Sequence, residues 1–396
     1  MKPILPIGVK EICKRLEACG KRAHIVGGCV RDFLLSKTPY DYDITTDALP
    51  DEMREIFSDL RTIETGIKHG TLTVLYGGEP YEVTTYRVDG EYADHRHPTE
   101  VSFTDKLSLD LARRDFTMNA ICYSERDGFV DMFDGLSDVR AGIIRAVGEP
   151  ARRFDEDALR ILRAIRFASV LDFRIEDETA RCAVEKAGLL SSVSAERIYT
   201  EWKKLISGIS AHRVIRDFSS IISVFLFPEP IVLPEEGAFL SASAEARQLS
   251  LFALSQSDPE ACFIEFCDRM KTDSKTKRLG AQALSAFSDD LSSIVSARLM
   301  VIRLGREAVL LTRELKEICG DKAVLSFDEL MAVIDGPYPL SLSELNVGGS
   351  DLIRIGLTGR EIGATLERLL IMTARDEVKN EREELLMAAE KIKNGI

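Results

Sequence analysis

A change of hydrophobic period near residue 150 constrains this 396-residue chain more than any other feature. Before it, short apolar and β-branched runs alternate with helical patterns. After it, apolar residues recur at helical spacing and strand signals become scarce. Such a division predicts an α+β fold: a small mixed β-sheet head with helices, then a long all-α remainder. Within the head, Ala23-His24-Ile25-Val26 predicts a strand that ends in Gly27-Gly28, with a helix following on Val30, Phe33 and Leu34. Residues 40–46, rich in aromatic and β-branched side chains, predict another strand. Pro50 fits the first turn of a helix running to Phe57. Residues 70–76 and 81–86 predict two strands joined by a hairpin at 77–80. Beyond residue 150, segments 154–169, 176–188, 195–207 and 376–394 predict helices. The prolines at 228, 230 and 234, and Gly336-Pro337-Tyr338-Pro339, predict breaks.

Composition excludes several classes. With 45% hydrophobic and 30% charged residues the chain is not a disordered tract. Lys and Arg total 52 against 65 Asp and Glu, a net charge of −13, so it is not a uniformly basic nucleic-acid coat. A local basic patch would still suffice for nucleic acid. No apolar run approaches the roughly 20 residues of a membrane helix, so no membrane association is expected. The N-terminus carries no long apolar stretch of the signal-peptide kind. The eight cysteines are scattered without a CxxC pair, which predicts free thiols in a reducing cytoplasm rather than a zinc ribbon.

The chemistry concentrates in carboxylates. Asp41 and Asp43 stand two apart in a predicted strand, so both side chains project from one face. Such a pair is commonly a solvated strand end, and the chemistry that instead needs it is binding of a hard cation such as Mg²⁺. Glu82, in another predicted strand, would join the pair if the two strands are neighbours. Three acidic ligands around two metal ions suit phosphoryl transfer, one ion activating an attacking hydroxyl and the other stabilising the leaving oxygen. Upstream, Gly27-Gly28-x-x-Arg31-Asp32 ends a strand and opens a helix, nine residues before Asp41. Glycines there let backbone amides approach a phosphate, the helix start favours an anion, and Arg31 adds charge.

These residues resemble motif A of the class II tRNA nucleotidyltransferases, the CCA-adding enzymes and their bacterial poly(A) polymerase relatives. The other motifs follow in order. Residues 113–120, Arg-Arg-Asp-Phe-Thr-Met-Asn-Ala, are similar to motif B. Asp134-Gly135-Leu136-Ser137-Asp138 with Ile144-Arg145 is similar to motif C. Glu156-Asp157-Ala158-Leu159-Arg160 is similar to motif D, and Glu196-Arg197-Ile198 to motif E. The resemblance covers roughly residues 24–205. The remainder matches only as a helical C-terminal half of the short bacterial type, with no His-Asp metal motif.

The resemblance implies template-independent addition of C, C and A to the 3′ end of tRNA from CTP and ATP, with Asp41, Asp43 and Glu82 catalytic and Asp41 and Asp43 holding the metal. It implies nucleotide contacts from Gly27, Gly28, Arg31, Arg114, Asp157, Arg160, Arg163 and Arg166. Cytosine and adenine each offer an amino donor beside a ring-nitrogen acceptor, whereas guanine and uracil present the reverse order. A carboxylate only accepts and an arginine only donates, so Asp157 and Arg160 suit C and A. In one continuous helix the two would share a face, and Arg160, Arg163 and Arg166 would fall on a side opposite Ile161, Leu162, Ile165 and Ala168. The alternative is a surface helix laced with pairs such as Glu156–Arg160. Residues 87–98 read as a mobile loop that in this family helps switch from C to A. Motifs C and E read as braces. Residues 151–213 hold 12 Lys and Arg against 10 Asp and Glu, a mildly basic neck for tRNA. The expected division is a nucleotidyltransferase head at 1–148, a neck at 149–212, a body at 213–320 and a tRNA-binding tail at 321–396. Competing readings are an enzyme that adds only CC or only A, a poly(A) polymerase, and an inactive RNA-binding protein. The segment 65–74 lacks the basic insertion that marks the polymerases.

Overall fold

The computed structural model describes residues 3–90, 101–227 and 230–394. It divides into two compact units, Met1–Pro228 and Glu229–Ile396. The first unit is the predicted mixed head with helices after it. Its elements begin with α1 (Ile7–Ala18), β1 (Ala23–Val26), α2 (Gly28–Leu34), β2 (Asp43–Thr46), α3 (Pro50–Ile56), β3 (Arg61–Ile63), β4 (Thr71–Tyr76) and β5 (Glu79–Thr85). Then come β6 (Arg87–Asp89), β7 (Val101–Phe103), α4 (Leu107–Ala112), β8 (Ile121–Ser124), β9 (Gly128–Asp131) and α5 (Gly135–Ala141). The same unit continues with β10 (Ile143–Ile144), α6 (Pro150–Glu156), α7 (Leu159–Leu171), β11 (Arg174–Ile175), α8 (Asp177–Glu185) and α9 (Ala195–Ile206).

Seven strands form one sheet in the order β3-β4-β5-β2-β1-β8-β9. β2 and β5 run parallel, and the other pairings within this sheet are antiparallel. Side chains alternate across a sheet, and β2 uses that alternation cleanly. Ile44 is fully buried beneath α1, as is its neighbour Val83 on β5, so Asp43 and Thr45 project from the opposite face. Pro50 opens α3 as expected, and Glu52 closes its first turn by accepting from the Leu49 amide at 2.8 Å. Gly135 is required by close approach, because a Cβ there would lie 2.2 Å from the Thr117 carbonyl oxygen.

Three expectations are corrected. The strand predicted over 40–46 begins only at Asp43, so Asp41 precedes it in irregular backbone. Arg87–Asp89 is not loop but β6, paired antiparallel with β7; the rest of the expected loop, from residue 91 to 98, lies outside the described residues. The helix predicted over 154–169 is broken in two, because Asp157 is extended (φ −139°, ψ 102°) between α6 and α7. Beyond the sheet, α7 packs on α9, whose Trp202 is fully buried edge-on to Phe225. The second unit is entirely helical among the described residues, from Glu236–Ser241 to Arg382–Lys393. Two apolar clusters hold it, one around Val309 and Leu330 and one around Leu352, Leu369 and Leu385.

Candidate active site

Parallel pairing of β2 with β5 sets Asp43 directly opposite Glu82. Residues opposite one another in a ladder share a face, so two carboxylates from distant parts of the sequence stand side by side. Thr84 shares that face two residues along β5 and shares a hydrogen bond with the Thr71 hydroxyl on β4 at 3.0 Å. Asp43, Glu82, Thr71 and Thr84 line a cleft of about 150 Å³ with Val26, Ile44, Arg87, Arg113 and Arg114. Asp43 reaches solvent, yet the protein atoms crowded around it push its carboxyl up to about 6. The charge of Asp41 pushes the same way, Arg114 opposes it, and Glu82 adds to the rise. Asp41 is thus near enough for its charge to be felt, although it lies outside the strand.

The cationic wall of the cleft comes from the end of α4. Asp110, fully buried, accepts from Arg113 Nε and Nη2 at 2.9 and 2.8 Å and lies 3.5 Å from Arg114 Nη2. Burial alone would raise the Asp110 carboxyl, but Arg113 and Arg114 outweigh it and the group sits below the usual carboxylate range. Arg114 Nε is buried with no hydrogen-bond partner among the described residues. The Arg114 guanidinium also lies over the glycine turn. A Cβ on Gly27 would come within 3.1 Å of Arg114 Nη1, and Gly27 has φ of 82°, a conformation glycine adopts without strain. Gly28 begins α2.

Arg31 is engaged by internal partners. It is buried, donates to Asp32 at 2.9 and 2.7 Å and to Asn119 at 2.8 Å, and lies 5.0 Å from the Phe167 ring centre. The motif D residues are engaged internally as well. Asp157 accepts from Arg197 Nη2 at 3.1 Å and from the Leu159 amide at 3.1 Å. Arg160 donates to Glu156 at 2.9 Å and to the carbonyls of Arg153 and Arg113 at 3.2 and 2.9 Å. Because the backbone is extended at Asp157, the two side chains do not share a helix face, and their hydrogen-bond partners are different. Arg163 makes two bonds to Asp115, at 2.8 and 2.6 Å, and holds that buried carboxyl well below its usual range against the opposing effect of burial. Arg166 binds Glu201 at 2.8 Å and stacks 3.5 Å from the Phe167 ring centre. None of Asp157, Arg160, Arg163 and Arg166 is among the described residues that line the cleft. Motif C acts as a brace: Asp138 accepts from Thr117 at 2.7 Å and from Arg145 at 3.2 Å.

Sequence reasoning did not single out Asp110, Arg87, Thr71 or Thr84. Thr84 was findable, since it lies two residues beyond Glu82 on the same strand. Asp110 was findable too, three and four residues before Arg113 and Arg114 at a helix end.

Chemically, the cleft joins acceptor oxygens on one wall to guanidiniums on the other. That suits an anion carrying a cation. Among the described residues no group of three or more His, Cys, Asp and Glu could hold a metal by itself. The set fits a hard divalent cation all the same, because such an ion takes one or two carboxylates and completes its shell with water and phosphate oxygens.

Comparison with known proteins agrees on the kind of molecule. Residues 23–145 match the family model of the Poly A polymerase head domain. Residues 172–221 match the model described as the probable RNA and SrmB-binding site of polymerase A. A CCA-adding enzyme of Pediococcus pentosaceus is 35% identical over 402 residues, covering 97% of this chain and 97% of the relative. The chain belongs to the CCA-adding enzyme family. Another member, from Lactobacillus helveticus, is 33% identical and covers 96% of this chain and 95% of its own. Among solved structures, the Bacillus stearothermophilus CCA-adding enzyme in complex with CTP superposes with a TM-score of 0.80 at 29% identity, covering 100% of this chain and 99% of that one. The family relationship therefore extends through the helical second unit, where the sequence motifs end.

Proposed function

We propose that this chain adds C, C and A to the 3′ end of tRNA, taking CTP and ATP as substrates and working in the cytoplasm. The observation that carries the reading is the register of Asp43 against Glu82, facing Arg113 and Arg114 across one cleft. The cleft is too small for a whole nucleotide, since ligand pockets run to several hundred Å³. It therefore takes the triphosphate end. Arg114, whose buried Nε has no partner among the described residues, engages phosphate oxygens, a role suited to a planar guanidinium. Gly27 and Gly28 keep the neighbouring backbone free of side-chain bulk so that phosphate can approach it.

Asp41, Asp43 and Glu82 are the catalytic carboxylates, and Asp41 and Asp43 would hold the metal. Mg²⁺, when bound there, would supply Lewis-acid stabilisation of the phosphates and lower the pKa of the attacking tRNA hydroxyl. Asp43 contributes an acceptor whose repulsion from Asp41 and Glu82 is relieved by any bound cation. Base choice falls to Asp157 and Arg160. A carboxylate has roughly four acceptor sites and a guanidinium five donors, so each retains capacity for a base edge beyond its present partners. Arg163 and Arg166 act from behind, Arg163 through Asp115 and Arg166 through Glu201. Head, neck, body and tail at 1–148, 149–212, 213–320 and 321–396 remain the functional division we infer, with the tail gripping tRNA by shape and backbone.

The experiment gives the protein Mg²⁺ and tRNA transcripts ending at the discriminator base, after one C and after both. Each receives CTP, ATP, GTP or UTP alone and CTP with ATP, and the 3′ ends are sequenced. Addition of C, C and A that then stops is the expected result. Long A tails would make the protein a poly(A) polymerase. CC alone, or A only on CC-ended tRNA, would make it a partial enzyme. Absence of any addition despite tRNA binding would leave an inactive RNA-binding protein.

A further inference from the structure

We propose that Asp110 is a positioning residue for nucleotidyl transfer: it ties together the three chain segments that build the triphosphate cleft and aims their arginines. The inference rests on the function proposed above and deepens it.

Asp110 lies in α4, faces no solvent and touches each wall of the cleft. Its Oδ1 accepts from Nε and Nη2 of Arg113 and lies 3.4 Å from the Arg87 amide. Its Oδ2 accepts from Thr45 Oγ1 at 3.2 Å and lies 3.5 Å from Arg114 Nη2. Thr45 is two residues beyond Asp43 on β2 and shares its face, so this bond fastens α4 to the strand that carries a catalytic carboxylate. Arg87 follows the strand that carries Glu82 and lines the same cleft. Arg113 and Arg114 are the cationic wall itself. A single buried carboxylate therefore sets the distance between the acidic and basic sides.

The chemistry requires such an anchor. Arginine side chains are long and rotamer-rich, and guanidiniums bundled without an anion repel one another. A fully buried carboxylate that accepts from one and neighbours the other cancels that repulsion and restricts where they point. It also leaves part of Arg114 unsatisfied, since Arg114 Nε has no partner among the described residues and the closest approach to Asp110 is a long one. Arg113 is thus held firmly and Arg114 loosely, which leaves the latter able to exchange Asp110 for phosphate. The same turn reaches the neck: the Arg113 carbonyl accepts from Arg160 and the Ala112 carbonyl from Arg153. Moving the turn would disturb phosphate contacts first and base choice second.

The test compares full-length wild type with Asp110→Asn, Asp110→Glu, Arg114→Ala and the double variant Asp110→Asn/Arg114→Ala. KM and kcat are measured for CTP and ATP, with tRNA affinity and melting recorded alongside. The expected result for Asp110→Asn is a nucleotide KM raised about ten-fold or more, with tRNA affinity within about two-fold of wild type. Asp110→Glu, which keeps the charge, is expected to recover most of that loss. In the Arg114→Ala background, Asp110→Asn is expected to add less than about two-fold. Unchanged nucleotide KM, a parallel fall in tRNA affinity, or full additivity with Arg114→Ala would overturn the assignment. Should Asp110→Asn not melt cooperatively, Thr45→Val, which cuts the tie of Asp110 to β2, decides with and without Arg114→Ala: a nucleotide KM rise that vanishes without Arg114 supports the role, and no rise, or one that persists, sinks it. Wild type that adds no nucleotide at all would instead overturn the proposed function, so the two failures are distinguishable.

Discussion

Along α7 the arginines already have counter-ions: Arg163 lies on Asp115 and Arg166 on Glu201, and both flank the buried Phe167 ring. At the cleft, Asp43 instead faces Glu82 across paired strands, with Asp41 adding to the repulsion, and Arg114 keeps a buried Nε without a partner among the described residues. The two regions belong to one series of motifs and both carry arginines and carboxylates, yet they hold charge in opposite states. A saturated network resists movement because each broken bond exposes a buried charge. An unsaturated one is costly until a ligand supplies what is missing, and that cost becomes binding energy. On the function proposed above, the difference makes α7 a brace and the cleft the place where substrate charge is received.

The sharpest way to break this comparison is to remove the acid from the cleft. Asp43→Asn or Glu82→Gln should lower single-turnover nucleotide addition by at least about 10³-fold, since losing a catalytic carboxylate forfeits several kcal/mol of charge stabilisation. Binding of tRNA, measured by filter retention, should remain. Near-normal addition by either variant would sink the carboxylate assignment.

Next in size is the brace. Arg166→Ala leaves Glu201 buried and unpaired, so denaturant unfolding should show a loss of about 3–5 kcal/mol. Pairing it with Glu201→Gln should recover part of that loss, because the orphan charge is gone. A loss under about 1 kcal/mol for the single variant would mean that the pair is solvated and α7 is not a brace.

Base choice should change by less. Asp157→Ala removes an acceptor worth about 1–3 kcal/mol, so misincorporation of G or U should rise by about 5- to 150-fold. Sequenced 3′ ends from mixed-nucleotide reactions give the ratio directly, and an unchanged ratio would move base reading elsewhere.

The smallest effect is a pH slope. Asp115 has a depressed carboxyl in the folded state, so the unfolded chain binds the more protons. Its contribution is fully present above the unfolded value of about 4 and fades as pH falls toward the folded value. Wild type should therefore lose stability between roughly pH 4 and 2 more steeply than Asp115→Asn, as read by urea midpoints across that range. Parallel slopes would show that Asp115 is not ion-paired in solution.

Much of the head was legible locally. Ala23–Val26 as a strand, Gly27-Gly28 as its turn and Pro50 as a helix start follow from short-range preferences of a few residues. The break at Asp157 was less so, because Glu156, Leu159 and Arg160 all favour helix, and Asp157 leaves it by accepting from the Leu159 amide in a local turn and from Arg197, 40 residues on. Arg87–Asp89 read as loop for a similar reason: a short polar strand gains its ladder only when β7 comes alongside. The four arginines of motifs A and D expected at the nucleotide are the plainest case. Their type and spacing announce charge, but nothing local says whether an arginine meets substrate or an internal carboxylate.

By itself, then, the order of residues determined the α+β division, the positions of the turns and the motif set that places the chain in its family. Those depend on patterns spanning a few neighbours each. Tertiary structure alone decided that Asp43 lies opposite Glu82, that Asp41 falls outside the strand, that Asp110 sits beneath the arginine wall, and that Arg163 and Arg166 meet internal carboxylates. Each is a meeting of groups brought together by strand pairing or helix packing. Coulombic effects depend on distance and burial, and residue spacing along a chain carries neither.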